Sequence, residues 1–445
     1  MGNADANEPP ADPRPAAPAR HRTNRIWDRF LDGLAQVEVG RPADQVLRKL
    51  EARAKDLGRS ERRALREGFF GFLRTRRSVV DQLERAMQAE RRPLDTLSVP
   101  ARQELELLAF LAGTGAELPP SQIAKRHAKV LDRIRAGRLP KPKGSQLHRA
   151  AIEANVPDWI FERWEADRGW ERARALGGIL RERAPVTLFV RGDRDEAVAA
   201  LENAAPTRWS PAGLTLPPGT PLSTLGDWVE RSHLQDEGSQ LLAWAAAHPT
   251  AGPPPRRILD ACTGAGGKIL ALAHWSDAEL HGVEPEASRL GEAKRRVKQA
   301  ELQRAVAWHP TTLEQHAQDH PGAYDVVLVD APCTGTGTLR RHPELAARLT
   351  KGDLEQATAT QKRLLAAALG ALAPHGTLLY ATCSVLHREN EAVAAYLLAH
   401  APQLRPVPVF SHDAPELRGC AVRIGPGPDP RGPDGFFVAA FRRGG

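Results

Sequence analysis

Cysteine is scarce in this chain: four residues in 445, at positions 262, 333, 383 and 420. Four cysteines so spaced do not build a disulfide framework. None pair as CxxC, so a structural zinc ribbon or finger is not expected. The fifteen histidines show no metal-ligand cluster along the chain, and no metal is expected. No apolar run approaches 18 residues, and the start lacks the apolar core of a secretory leader. A membrane-spanning or secreted protein is therefore not expected, and a reduced, cytoplasmic protein with mostly inert thiols is. The nine tryptophans fall mostly at helical apolar positions, which predicts core packing rather than base stacking.

Positive charge is what the chain has in excess. The net is +8, and it is unevenly spread. Residues 1–150 hold 30 Lys and Arg against 19 Asp and Glu; the remainder holds 32 against 35. A basic N-terminal third suggests an anionic partner such as nucleic acid, with plain solubility as the alternative.

Composition and periodicity divide the chain. Residues 1–20 are Pro/Ala-rich without periodicity and read as a disordered tail. Residues 21–135 read as helical. "NRIWDRFLDGL" places Ile26, Trp27, Phe30, Leu31 and Leu34 on one stripe, and Ser60 is the expected N-cap of an Arg-rich second helix. The basic, breaker-rich stretch 136–149 reads as a linker. Residues 150–230 form a small α/β segment. From 231 to 445 apolar strands alternate with helices: "RRILD", "ELHGVE", "YDVVLVD" and "GTLLYATCS". That alternation predicts a doubly wound α/β domain whose ligands lie at the carboxyl ends of its strands.

The first of these strands runs into "ILDACTGAGGK". A phosphate-binding loop needs a glycine where Cys262 stands and Ser or Thr where Ile269 stands, and a dinucleotide loop needs a third glycine at 269. S-adenosylmethionine fits better. It needs an acid ending strand one, a glycine turn, and an acid ending strand two for the ribose hydroxyls; Asp260 and Glu284 meet this.

Cys333 and Cys383 each follow a predicted strand, in "DAPCTGTG" and "YATCSV". Neighbouring strand ends would bring two thiols and Asp330 above the donor cleft. Carbon 5 of cytosine is too electron-poor to attack a sulfonium methyl. A thiolate added at carbon 6 makes it enamine-like, an acid at the ring edge stabilises the developing charge, and a further group assists elimination.

These motifs, with "LQDEGSQLLA" and "PDGFFVAAFRR", resemble the RsmB/NSUN family of RNA cytosine-carbon-5 methyltransferases over about 150–445. The resemblance implies a Rossmann-like methyltransferase domain and S-adenosylmethionine as cofactor. It implies Cys383 as nucleophile, Cys333 in product release, and Asp330 against the cytosine. Cys262, Thr263, Gly264, Ala265, Gly266, Gly267, Lys268, Glu284 and Asp330 would line the donor site, with Lys268 also near the base. The family usually has an acid toward the adenine where this chain has Pro310 and Thr311, so Thr311 is taken as the adenine-side residue. His375 replaces a glycine of the turn before the fifth strand. The N-terminal helices resemble a NusB-like domain, expected to grip RNA. The expected substrate is ribosomal RNA of the small subunit (16S), met by a monomer. Transfer RNA, or a non-catalytic role in ribosome assembly, are the alternatives. Asp236 and Ser239 are read as helix caps, with a direct catalytic role as the alternative, and Cys420 as a loop residue without function.

Overall fold

In a computed structural model, residues 19–301, 306–411 and 414–445 are described, with side chains from 26 onward. Residues 1–18 of the expected tail lie outside this range. The chain divides into two compact units, Met1–Pro142 and Lys143–Gly445.

The first unit is helical among its described residues. Its helices are Ala19–Glu38, Ala43–Arg53, Arg59–Ala89, Val99–Gly113, Gln122–Arg126 and Ala128–Arg135. Phe30, Phe69 and Phe72 meet edge-to-face within a core that includes Leu34, Leu65 and Leu108. Ser60 is not a cap. The helix starts two residues earlier, with Gly58 as N-cap, because the Glu61 carboxylate accepts the Gly58 N–H at 2.7 Å.

The second unit opens with helices Gln146–Glu153, Asp158–Arg168 and Trp170–Arg181. One core joins Ala151, Ile160, Phe161 and Trp164 of these helices to Leu339, Val385 and Leu386. The strands follow in chain order: β1 (Val186–Val190), β2 (Ala205–Pro206), β3 (Gly213–Leu216), β4 (Ser232–Leu234), β5 (Arg257–Asp260), β6 (Glu279–Val283), β7 (Val306–His309), β8 (Tyr324–Asp330), β9 (Leu372–Thr382), β10 (Leu404–Pro406), β11 (Ala421–Ile424) and β12 (Phe436–Arg443). The first four make a small antiparallel sheet, ordered β2-β3-β1-β4. The other eight make the large sheet. It runs β10-β12-β9-β8-β5-β6-β7, with β11 also on β12.

Strands β5 to β9 pair in parallel, and β12 lies antiparallel to β9, β10 and β11. The chain leaves β5 toward β6 and β7, then crosses back to β8 on the other side. The connection after β5 runs toward β6 and the connection after β8 runs the other way, toward β9, so the crevice between β5 and β8 is the switch point where doubly wound sheets take ligands. Strands such as β8, buried from Val326 to Val329, are apolar on both sides because both faces of the sheet are covered. Among the described residues no helix is long and apolar enough to cross a membrane.

Candidate active site

The turn after β5 is built from local constraints. Gly266 has φ +81°, and a Cβ there would stand 2.8 Å from the Ala293 Cβ. Only glycine lets the turn pass that close to the next helix. Thr263 ties the turn to the sheet: its N–H donates to Val283 O at 3.0 Å and its hydroxyl to Asp260 O at 3.0 Å. Glu284, just past β6, is buried. It accepts the Gly264 N–H at 3.1 Å and the Glu286 N–H at 2.9 Å, so its carboxylate is held at the mouth of the turn. Around Gly264 there is open space. Thr311 lies two residues past the end of β7, beside β6 in parallel register, with Val283 opposite His309. Ala265 adds a carbonyl, which Arg296 caps at 3.1 Å.

Asp260 ends β5, as expected, and is fully buried. Neither oxygen accepts a well-formed hydrogen bond from another described residue, although the Cys262 N–H lies close enough to favour the charged form. Burial pushes its carboxyl up to about 7; Lys268 opposes that rise and Asp330 reinforces it. Cys262 is packed against the core beneath the turn, and burial, with Asp260, Asp330 and Glu284 nearby, drives its thiol far above the usual range.

Lys268, in the first turn of helix Gly267–Trp275, forms an ion pair with Asp330 at the end of β8. Burial opposes its charge, but Asp330 and Asp260 outweigh burial and hold the ammonium firmly protonated. The two carboxylates and one ammonium thus form a charged cluster at the switch point.

The two cysteine corners converge. Cys333 Sγ and Cys383 Sγ lie 3.3 Å apart, both reduced. Parallel register puts Asp330 opposite Ala381, so residues two or three further along each strand meet. Their surroundings differ. Contact with Cys383, then burial, with Glu389 and Asp330 adding negative charge, pushes the Cys333 thiol well above its ordinary value. Cys383 instead lies within electrostatic reach of the Lys268 ammonium.

Sequence reasoning missed what holds these corners together. Glu389 is fully buried. Its Oε1 accepts the Thr334 N–H at 2.8 Å and the Gln361 side-chain N–H at 3.1 Å; its Oε2 accepts the hydroxyls of Thr334 and Ser384, each at 2.5 Å. One carboxylate therefore ties the residue after Cys333 to the residue after Cys383. Between the corners, Gly337 N–H donates to Cys383 O at 2.9 Å, and a Cβ on Gly337 would fall 2.0 Å from Gly435 O. The Asp434 of "PDGFF" binds Arg340 and Arg341, and Arg341 also reaches Asp236 at 2.8 Å. Asp236 caps helix Glu237–Ala247 as expected, accepting the Gly238 N–H at 2.8 Å. Ser239 is not a cap; inside that helix, it accepts a hydrogen bond from Gln235 at 3.2 Å.

The expectation of no histidine cluster is corrected. His309, His316 and His320 bring one ring nitrogen each to within 4.8 Å of the others. The i, i+4 spacing of His316 and His320 was the available signal.

The profile described as "16S rRNA methyltransferase RsmB/F" matches residues 251–442. A protein of Xanthomonas campestris named ribosomal RNA small subunit methyltransferase B is 30% identical over 364 residues, covering 76% of this chain and 80% of its own. The protein of that name from Thermus thermophilus is 33% identical over 293 residues, 66% of either chain. Among solved structures, PH0851 superposes with a TM-score of 0.76 at 21% identity, over 96% of this chain and all of its own. NSun6 from Pyrococcus horikoshii gives 0.53 at 16% identity over 64% and 98%. At such identities the two structures speak for the fold; the sequence matches carry the kinship, and by them the chain belongs to the RsmB/F family of methyltransferases.

Proposed function

We propose that this protein transfers a methyl group from S-adenosylmethionine to carbon 5 of a cytosine in RNA, with 16S ribosomal RNA as the substrate, through a covalent cysteine–cytosine adduct. The relatives' names support the RNA and the methyl transfer. The observation that carries the chemistry is the 3.3 Å cysteine pair, with a cation on the Cys383 side and carboxylates on the Cys333 side.

The donor supplies an electrophilic methyl group. The residues present fit it: a glycine turn with open space at Gly264, and a buried acid, Glu284, already oriented by two backbone N–H groups. Glu284 would hold the ribose hydroxyls, Cys262 to Lys268 would line the amino-acid side, and Thr311 the adenine side.

Contact with Cys383, burial and negative neighbours keep the Cys333 proton in place, and Cys383, within reach of the Lys268 ammonium, is the residue that attacks as a thiolate. Cys383 Sγ then bonds to carbon 6 of the base, and the electron pair of the 5,6 double bond becomes available at carbon 5. Asp330 accepts the base's amino N–H and, with Lys268, holds the ring against the developing charge. After methylation the carbon 5 proton leaves to a base, the double bond re-forms, and the Cys383–carbon 6 bond breaks. Cys333, in contact with the departing sulfur, assists that release. We take the protein to act as a monomer, in the cytoplasm.

The test is denaturing electrophoresis of each variant with labelled RNA and S-adenosylmethionine. Cys383→Ala should form no adduct and no product. Cys333→Ala should attack and methylate, then stall as a shifted protein–RNA band. A band from Cys383→Ala and none from Cys333→Ala would exchange the two roles. Full turnover by both variants would end the covalent reading.

A further inference from the structure

Histidines gather from three elements: His281 on β6, His309 at the end of β7, and His316 in the helix that follows, with His320 capping its end. His316 is buried, His309 half-buried and His320 exposed. Their rings crowd one another, with centroids 4.3 Å apart for His309 and His316 and 4.5 Å for His316 and His320.

The hydrogen bonds behind them form a chain. His281 Nε2 lies 3.0 Å from a Glu279 carboxylate oxygen, which can only accept, so Nε2 carries the proton and Nδ1 has the lone pair. That Nδ1 is 3.0 Å from His309 Nε2 and 3.0 Å from the Tyr324 hydroxyl. The Tyr324 hydroxyl in turn lies 2.8 Å from His316 Nε2. The chain that begins at Glu279 thus engages Nε2 of both His309 and His316 and leaves each Nδ1 out of it. Imidazoles with one nitrogen anchored and the other free are the arrangement found at metal-bound histidines.

We propose that His309, His316 and His320 bind one divalent transition-metal ion of the Zn²⁺ class. Three nitrogen donors and no carboxylate in the set select this class over Mg²⁺ or Ca²⁺. Ligand bonds of about 2.0–2.1 Å put ligand nitrogens about 3.3 Å apart, so binding requires the rings to close by roughly 1–1.5 Å. His320, exposed at the helix end, has the freedom to supply that movement. Water would complete the coordination. The ion would pin helix Leu313–Asp319 to the edge of the sheet. It would also fix the end of β7, whose His309 carbonyl accepts the Glu284 N–H at 3.2 Å and so adjoins the donor site.

The test titrates Zn²⁺ into the full chain, free of any affinity tag, by calorimetry without donor or RNA. Because the thiol pair is a competing site, the background is Cys333→Ala/Cys383→Ala. One equivalent should bind. His320→Ala, at an exposed position, should weaken it by more than about 100-fold, since losing a ligand exceeds the 10–100-fold loss typical of its outer partners. Tyr324→Phe, which removes only such a partner, should weaken it by about 10–100-fold. Absence of binding in the thiol-free background, or affinity unchanged by His320→Ala, overturns the proposal. Neither result bears on methyl transfer.

Discussion

Asp260 ends the first strand of the large sheet's parallel part, where the sequence places it, and is fully buried there. An acid at the end of the first strand was legible as part of a donor site. Its complete burial was not, because the groups around it, Lys268 and Asp330 among them, come from other elements. That burial has a measurable sign. The unfolded chain loses this proton near 3.8, whereas the folded protein keeps it until about 7. Between those values the unfolded state binds fewer protons, so this group's contribution to stability falls as pH rises, by up to about 1.4 kcal/mol per pH unit. Asp260→Asn removes the titration. Urea unfolding of the ligand-free proteins from pH 4 to 7 should show the variant gaining on the native chain by a few kcal/mol across that window. A difference that stays constant with pH would mean Asp260 is ionised throughout.

The strands, the crossovers and the placing of both cysteine corners were legible at the scale of elements, because buried parallel strands are apolar runs and the chemistry sits at their ends. The brace between the corners was not. Glu389 stands in "HREN", a polar run that reads as surface, and it is buried only by contact with Thr334, 55 residues earlier. Glu389→Gln keeps the volume but points an N–H₂ group at one set of donors. Leaving a buried donor unsatisfied costs about 1–3 kcal/mol, so the variant should unfold earlier yet still fold. The two thiols should lose their fixed separation. The rate of methyl transfer should then drop at least tenfold while donor affinity, set across the crevice by Glu284, stays within about twofold. Calorimetry with the donor and single-turnover kinetics separate the two. A loss of donor affinity equal to the loss of rate would show Glu389 to be a general stabiliser of the fold instead.

Charge distribution is the property of the whole molecule that sequence displays best, since it needs no coordinates. The division between the units falls at Pro142–Lys143, and up to that point the chain carries 28 Lys and Arg against 19 Asp and Glu. Many of these arginines are paired, as Arg66 is with Glu51 and Arg133 with Glu90. Each pair cancels one charge of either sign, so pairing leaves the surplus of nine intact. The catalytic unit, with 34 against 35, has no such surplus to attract a polyanion at long range. We propose that the helical unit is a NusB-like RNA-gripping domain that supplies most of the salt-sensitive affinity. The chain from Lys143 onward holds the large sheet, its covering helices and their cores, and should fold without the first unit. It should bind the methyl donor as the full chain does. Its affinity for RNA should be lower, and the slope of log affinity against log salt should be shallower by about 0.7 for each single-strand phosphate contact removed. Filter binding at several salt concentrations measures both. Equal slopes for the two proteins would place the RNA contacts on the catalytic unit, and the basic helices would then serve solubility alone.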